Sequence, residues 1–244
     1  MDNIIKWCGY EWIPQERWGQ VHPEKNYMWY DPSAISILEN GDLKLETKYN
    51  PKEFDGFTSN IGVGLVSCTE KFGYGTFSLE AKLPKGKFLW PAFWMYAWES
   101  WPPEIDIFEA YSNGRASYLN FNLDILLGRL WKVESNIHLG EVPNNYNIGA
   151  QSGNMGMIDP VENFIEYKLE WFEKSIKLYY NKRLVRSITD PTILNQFKGK
   201  TMNVLINNGI QDKYNTKSKD MSEMIVRNFK YEPIKPIAAQ PNER

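Results

Sequence analysis

The sequence predicts an all-β fold, a sandwich or jelly roll of two antiparallel sheets. Three observations carry that expectation. Apolar and polar residues alternate with a period of two in segment after segment, the pattern of strands with one buried and one wet face. Helix-start signals are nearly absent. The 244 residues contain no repeat, low-complexity stretch or internal linker, and sandwiches of that size are commonly one domain.

Taken in order, Leu43, Leu45 and Thr47 alternate with Lys44, Glu46 and Lys48. Phe77, Leu79, Ala81 and Leu83 alternate with Ser78, Glu80 and Lys82 until Pro84 closes the run. Leu119, Phe121 and Leu123 alternate with Asn120 and Asn122. Ile165, Tyr167, Leu169 and Trp171 lead to a polar break at Glu173–Lys174, after which Ile176, Leu178 and Tyr180 resume the pattern, as in a hairpin. Asn181-Lys182-Arg183 reads as another turn. Met202, Val204 and Ile206, then Met224, Val226 and Asn228, read as late strands. The best helix signal is Asp190-Pro191, a capping residue with proline at the first helical position, good for about two turns. Residues 132–160, rich in Asn, Gly and Pro, read as a long surface loop. Residues 1–231 then form a single domain, and 232–244 a loose, proline-containing tail.

Composition narrows the function. Lys+Arg 28 against Asp+Glu 30 leaves a net charge of −2, so no basic excess exists to neutralise a run of phosphates, and nucleic acid is not the expected partner. His22 and His138 are the only histidines, which leaves little room for a His-based catalytic metal site. Cys8 and Cys68 are too few for a disulfide framework and read as two buried or half-buried thiols. The first residues, MDNIIKWCGYEW, lack the basic and apolar regions of a signal peptide. The longest uncharged apolar run, Phe88 to Trp98, is broken by Pro91 and too short to span a bilayer. The skew that survives is aromatic, with 10 Trp, 14 Tyr and 12 Phe.

The stretch that carries chemistry is WPAFWMYAWESWPP from Trp90, followed by EIDIFE at 104–109. On a strand, Glu104 and Asp106 share a face while Ile105 and Ile107 point into the core. Glu109 has the wrong parity, and one extra residue near Ile107 or Phe108, a bulge, returns it to the face of the other acids. The two glutamates are then roughly 13 Å apart between Cα atoms. Side chains leaning together could bring the carboxyls to the approximately 5–5.5 Å of a retaining glycosidase. So close a pair cannot easily hold two charges, so one pKa rises and can serve a proton donor while the other attacks. Asp106 between them can hydrogen-bond the nucleophile and separate the two titrations. Trp90, Trp94, Trp98 and Trp101 flank the acids, and indole faces suit the C–H faces of sugars. Phe93 and Met95 are expected in the core, with Trp98 a further core candidate.

The run FGYGTFSLEAKLPKGKFLWPAFWMYAWESWPPEIDIFE resembles the heart of glycoside hydrolase family 16, and FIEYKLEWFEKSIKLYYNKRLV and MNVLINNG resemble later segments of that family. The resemblance implies a concanavalin-like β-jelly-roll with a cleft across its concave sheet, and retaining, endo-acting hydrolysis of a β-linked polysaccharide. It implies Glu104 as nucleophile, Asp106 as assisting acid and Glu109 as acid/base, in the bulged ExDxxE branch of laminarinases, agarases, porphyranases and carrageenases. Trp90, Trp94 and Trp101 match positions lining the subsites near the cleavage point. Asn60 and Asn207 fall near the negative subsites.

Some residues depart from the family pattern. Laminarinase-type members carry a histidine on the strand after the catalytic one, where this chain offers Asn120 or Asn122. At the last strand, Val226 is followed by Arg227 and Asn228 rather than a calcium-binding aspartate, so no metal is expected there. The segment GYEWIPQERWGQVHPEKNYMWYD has no counterpart in the pattern. His22 reads as a loop hydrogen-bonder and His138 as a solvated loop residue, with reach to the cleft as its alternative. Arg115 and Arg129 are candidates to clamp an anionic substituent. The expectation is therefore a monomeric, cofactor-free, retaining endo-β-glycosidase acting on a β-linked polysaccharide of β-1,3-glucan or galactan type. Such a substrate would place it outside the cell or in the periplasm, without contact to membrane. The alternatives are a lectin-like glycan binder on the same fold, or a transglycosylase.

Overall fold

The computed structural model describes residues 4–22, 24–112, 118, 132–153, 155, 158–215 and 221–234. Among them the strands are, in chain order, β1 (Ile5–Trp7), β2 (Tyr10–Ile13), β3 (Met28–Tyr30), β4 (Ile35–Ile37), β5 (Leu43–Phe54), β6 (Phe57–Val63), β7 (Leu65–Cys68), β8 (Gly75–Lys82) and β9 (Leu89–Ala97). They continue as β10 (Glu104–Ala110), β11 (Val133–Leu139), β12 (Tyr146–Asn147), β13 (Gln151–Ser152), β14 (Ile165–Phe172), β15 (Ser175–Tyr180), β16 (Arg183–Ile188), β17 (Met202–Ile210) and β18 (Ser222–Pro233). The front sheet runs β1-β2-β7-β17-β9-β10-β11-β12 with β13 also on β11, and the back sheet runs β16-β15-β14-β8-β18-β5-β6-β3 with β4 on β5. Neighbours are antiparallel except at one edge, where β3 runs parallel to β6.

The period-two pattern maps directly onto burial: β8 and β14 each bury every second residue. The core between the sheets combines Phe77 and Leu79 of β8, Leu169 and Trp171 of β14, Phe93 and Met95 of β9, Ile105 and Phe108 of β10, and Val204 and Ile206 of β17. Each such side chain, taken out of water, stabilises the fold by ~1.5–3 kcal/mol. The expected hairpin pairs β14 with β15 around Glu173–Lys174. Asn181 and Lys182 both take positive φ, 46° and 66°, the two-residue turn whose twist matches the strands it joins. Helix α1 (Pro191–Leu194) is capped by the Asp190 carboxylate, which accepts from the Thr192 N–H at 2.8 Å, and one 3₁₀ turn extends it.

Four expectations need revising. Residues 132–160 are not one loop, because β11, β12 and β13 lie within them. Strand β18 continues past 231, with Glu232 and Pro233 still paired to Thr76 and Gly75. Trp98 is exposed, with Lys71 over its ring, rather than in the core. Cys8 is exposed and Cys68 buried, and both are free thiols. The strand expected at 119–123 lies outside the described residues. No helix among the described residues is long and apolar enough to cross a membrane.

A second apolar cluster sits on the outer face of the front sheet. Met28 and Tyr30, from the N-terminal segment, pack with Val63, Leu65, Tyr96 and Leu205, and Trp94 and Trp101 lean against them. This arrangement gives the front sheet a walled cleft instead of an open face.

Candidate active site

The cleft acids are placed by an irregularity in β10. Along β9 the partners run Glu104↔Tyr96, Ile105↔Met95 and Asp106↔Trp94, then skip to Phe108↔Phe93 and Glu109↔Ala92. Ile107 is the extra residue. A regular register would turn Phe108 to the cleft and bury Glu109 among apolar side chains, where an unpaired carboxylate costs several kcal/mol. The bulge instead buries Ile107 and Phe108 completely and turns Glu109 outward. The Tyr180 hydroxyl of β15, on the back sheet, donates to the Ile107 carbonyl at 2.9 Å. Gly153 leaves room for that ring, since a Cβ there would lie 2.0 Å from Tyr180 Cδ2.

The three acids face one cleft of about 580 Å³, together with Trp90, Trp94, Trp101, Asn207, Asn136 and His138. Glu104 Oε2 accepts from the Trp101 indole N–H at 2.7 Å. His138 Nε2 stands 3.5 Å from Glu104 Oε1 and 3.4 Å from Asp106 Oδ2. Glu109 Oε1 accepts twice, from the Trp90 indole N–H at 2.9 Å and the Tyr111 hydroxyl at 2.7 Å. Trp94 donates to Asn207 Oδ1 at 2.8 Å.

Burial pushes the carboxyl of Glu104 well above the ordinary range, and the charge of Asp106 raises it further, while His138 and the Trp101 N–H pull it back. Asp106 is likewise raised by burial and then by Glu109, with its hydrogen bond to Glu104 opposing. The two therefore titrate as a pair that retains a proton between them. Burial, then the charge of Glu109, also raises the Tyr111 phenol, so it stays a donor. Glu104, Asp106 and His138 bring ligand atoms within 4.8 Å of one another, a spacing that can hold a metal ion.

Residues 23–224 match the family model described as glycosyl hydrolases family 16. The chain belongs to glycosyl hydrolase family 16. Among curated proteins this family 16 chain is similar to a beta-glucanase of Rhodothermus marinus, 31% identical over 171 residues, covering 62% of the chain and 51% of that protein. It is also similar to a glucan endo-1,3-beta-glucosidase of Cryptopygus antarcticus, 33% identical over 129 residues, 48% of the chain and 42% of that protein. The chain thus spans about half the length of these curated relatives. The laminarinase catalytic domain from Thermotoga petrophila RKU-1 superposes with a TM-score of 0.69 at 19% identity, over 95% of both chains. A Bacteroides ovatus family 16 protein from a mixed linkage glucan locus, in complex with a G4G4G3G product, gives 0.70 at 20%, over 94% of this chain and 97% of that one. These likenesses are of fold, and the jelly-roll expectation holds.

Set against the family pattern, Trp90, Trp94, Trp101 and Asn207 reach the cleft. Asn60 does not; it sits half-buried on β6 of the back sheet, away from the acids. Arg115, Arg129, Asn120 and Asn122 lie outside the described residues. The largest correction is His138, which is no solvated loop residue. It stands on β11, directly opposite Glu104, so the strand beside the one bearing the three acids does carry a histidine. The alternation of Val133, Ser135, Ile137 and Leu139 was the signal for that strand. Tyr111, two residues beyond Glu109, also lines the cleft, and its parity with Glu109 is the sequence signal for it. His22 Nδ1 accepts from the Glu24 N–H at 3.1 Å, the loop role expected of it, although it also lines the cleft.

The family match begins at residue 23, yet Glu16, Arg17, Trp18 and His22 line the same cleft. Glu16 is buried, accepts from the Tyr30 hydroxyl, and has no partner for Oε2. Burial raises its pKa from 4.5 to about 7, against the pull of the Tyr30 hydrogen bond, Lys25 and Arg17. Between those two values the folded chain holds more protons than the unfolded chain, so stability falls as pH rises from 4.5 to about 7 and levels off above. Glu16→Gln keeps an acceptor for Tyr30 and lacks this slope. Its stability relative to the parent should therefore climb by ~3 kcal/mol between pH 4.5 and 8. Melting temperatures of both proteins across that range check this, and a constant difference would refute it.

Proposed function

We propose that this domain is an endo-acting, retaining β-glycosidase that hydrolyses internal linkages of a β-linked polysaccharide of glucan or galactan type. The observation that supports it most is the bulge at Ile107, which turns Glu109 onto the cleft face beside Glu104 and Asp106. In the first step Glu109 protonates the glycosidic oxygen as the C–O bond breaks, and Glu104 attacks the anomeric carbon to form a glycosyl ester. In the second, Glu109 takes a proton from water, whose oxygen displaces Glu104. For the attack the proton that the pair retains must sit on Asp106, which then donates it in a hydrogen bond to Glu104, so that the nucleophile carries the charge. His138 and the Trp101 N–H assist that polarisation. With a histidine beside the nucleophile, β-1,3-glucan is the first backbone to test.

The test is a panel of laminarin, mixed-linkage glucan, agarose, porphyran, carrageenan and O-glycans, with the anomer of the first product read by NMR. A β-configured new reducing end is expected. An α-configured product would refute retention, and binding without release of reducing ends across the panel would leave a lectin.

A further inference from the structure

Residues 16–22 form an anchored wall. Glu16 and Gly19 exchange backbone hydrogen bonds at 3.2 and 2.9 Å, the Tyr30 N–H donates to the Gln20 carbonyl at 2.7 Å, and Lys52 Nζ donates to Gln20 Oε1 at 2.6 Å. The Trp18 ring also stacks on that of Tyr96. Tyr96 lies opposite Glu104 in the ladder, so the wall is tied to the strand next to the acids.

Two cations stand on this side of the cleft. The Arg17 guanidinium lies 4.6 Å from the Trp18 ring centre and 5.1 Å from that of Tyr96, and those rings are stacked, 6.3 Å apart at 10°. Lys25 Nζ lies 4.2 Å from the centre of the Trp90 ring, whose N–H is held by Glu109. Among the described residues neither cation makes an ion pair or a side-chain hydrogen bond. Arg186 and Arg227, by contrast, are held by two or more such bonds each. Seating on an aromatic face fixes a cation while leaving its N–H donors free. Glu16 lies near both, but burial raises its pKa to about 7, so around neutrality it carries only part of a charge and does not neutralise two cations. The proton shared by Glu104 and Asp106 further limits the negative charge that an incoming anion would meet.

We propose that Arg17 and Lys25 read an anionic substituent, a sulfate ester or a uronate carboxylate, on the sugar seated against this wall. The assignment rests on the cleft being a glycan site and adds what that glycan carries. Charge-assisted hydrogen bonds from two fixed donors supply the discrimination. Trp18, in the same wall, offers an aromatic surface for the ring itself.

The test is calorimetric binding, which needs no turnover. The probes are a sulfated β-galactan oligosaccharide with its desulfated counterpart, and a uronate-bearing β-glucan oligosaccharide with its carboxyl-reduced counterpart. The parent chain should bind one acidic probe at least ~10-fold tighter than its neutral counterpart, and the preference should shrink between about 50 and about 500 mM salt. Whichever pair shows it names the substituent. Arg17→Ala and Lys25→Ala should each lower the ratio several-fold, whereas Arg17→Lys and Lys25→Arg should retain most of it. The charge-keeping pair also serves if an alanine variant melts early. Equal affinity within both pairs, or a ratio unmoved by the alanine variants, overturns the proposal. Hydrolysis of neutral glycan without any acidic preference would overturn it alone and leave the proposed reaction standing.

Discussion

Glu104→Ala should lower kcat by at least ~10⁴-fold, about 5.5 kcal/mol of barrier, while oligosaccharide affinity changes little. The carboxylate is asked to make a bond to carbon, and no neighbour can substitute: Asp106 is buried beside it and hydrogen-bonded to it. Sodium azide separates the roles of the two glutamates. In Glu104→Ala, on a substrate with a good leaving group, azide enters the emptied space and should give the α-glycosyl azide. Glu109→Ala should lose ~10²–10⁴-fold for lack of a general acid. Its glycosyl ester should then be intercepted by azide from the opposite side, giving the β-glycosyl azide. Unchanged reducing-sugar release by Glu104→Ala would sink the assignment, and exchanged azide anomers would reverse the two roles.

Tyr180→Phe should impair the reaction from the far side of the core. Its hydroxyl is the donor to the carbonyl of Ile107, and both residues are fully buried. Removing the donor strands that carbonyl away from water, which costs ~1–3 kcal/mol. The bulge is then free to relax, and a shift of order 1 Å at a proton donor can cost ~10²-fold in rate. A fall in kcat with KM nearly unchanged is therefore expected, alongside a lower melting temperature. Gly153→Ala should act in the same direction by pushing on the Tyr180 ring. Tyr167→Phe is the control, because among the described residues that hydroxyl meets only the Met155 sulfur, at 3.7 Å. If Tyr180→Phe destabilises the chain but leaves kcat where it was, the hydroxyl supports the fold alone.

The parity of the three acids made the bulge legible before any coordinates. Glu104, Asp106 and Glu109 cannot share a face of a regular strand, and Ile105, Ile107 and Phe108 need the core. Strands β8, β14 and β15 were legible for the same reason, since their two faces differ in polarity residue by residue. His138 was hidden by its setting, because the alternation of β11 sits inside a stretch whose Asn, Gly and Pro content reads as loop. Asn60 shows the opposite limit: resemblance sets a residue near a subsite without telling which sheet its segment joins, and β6 joins the back sheet. The support of Ile107 by Tyr180, 73 residues away, and the folding of residues 16–22 over β9 are long-range contacts that no local pattern encodes.

The two donors on Glu109 have a stereochemical consequence. Because Trp90 and Tyr111 both occupy Oε1, a hydrogen bound to that carboxylic acid belongs on Oε2. The departing alcohol must then approach from one side only. A chain that arrives rotated by half a turn about its long axis would present its bridging atom to an oxygen already spoken for, so the cleft selects which face of the chain it accepts before any distant subsite is filled.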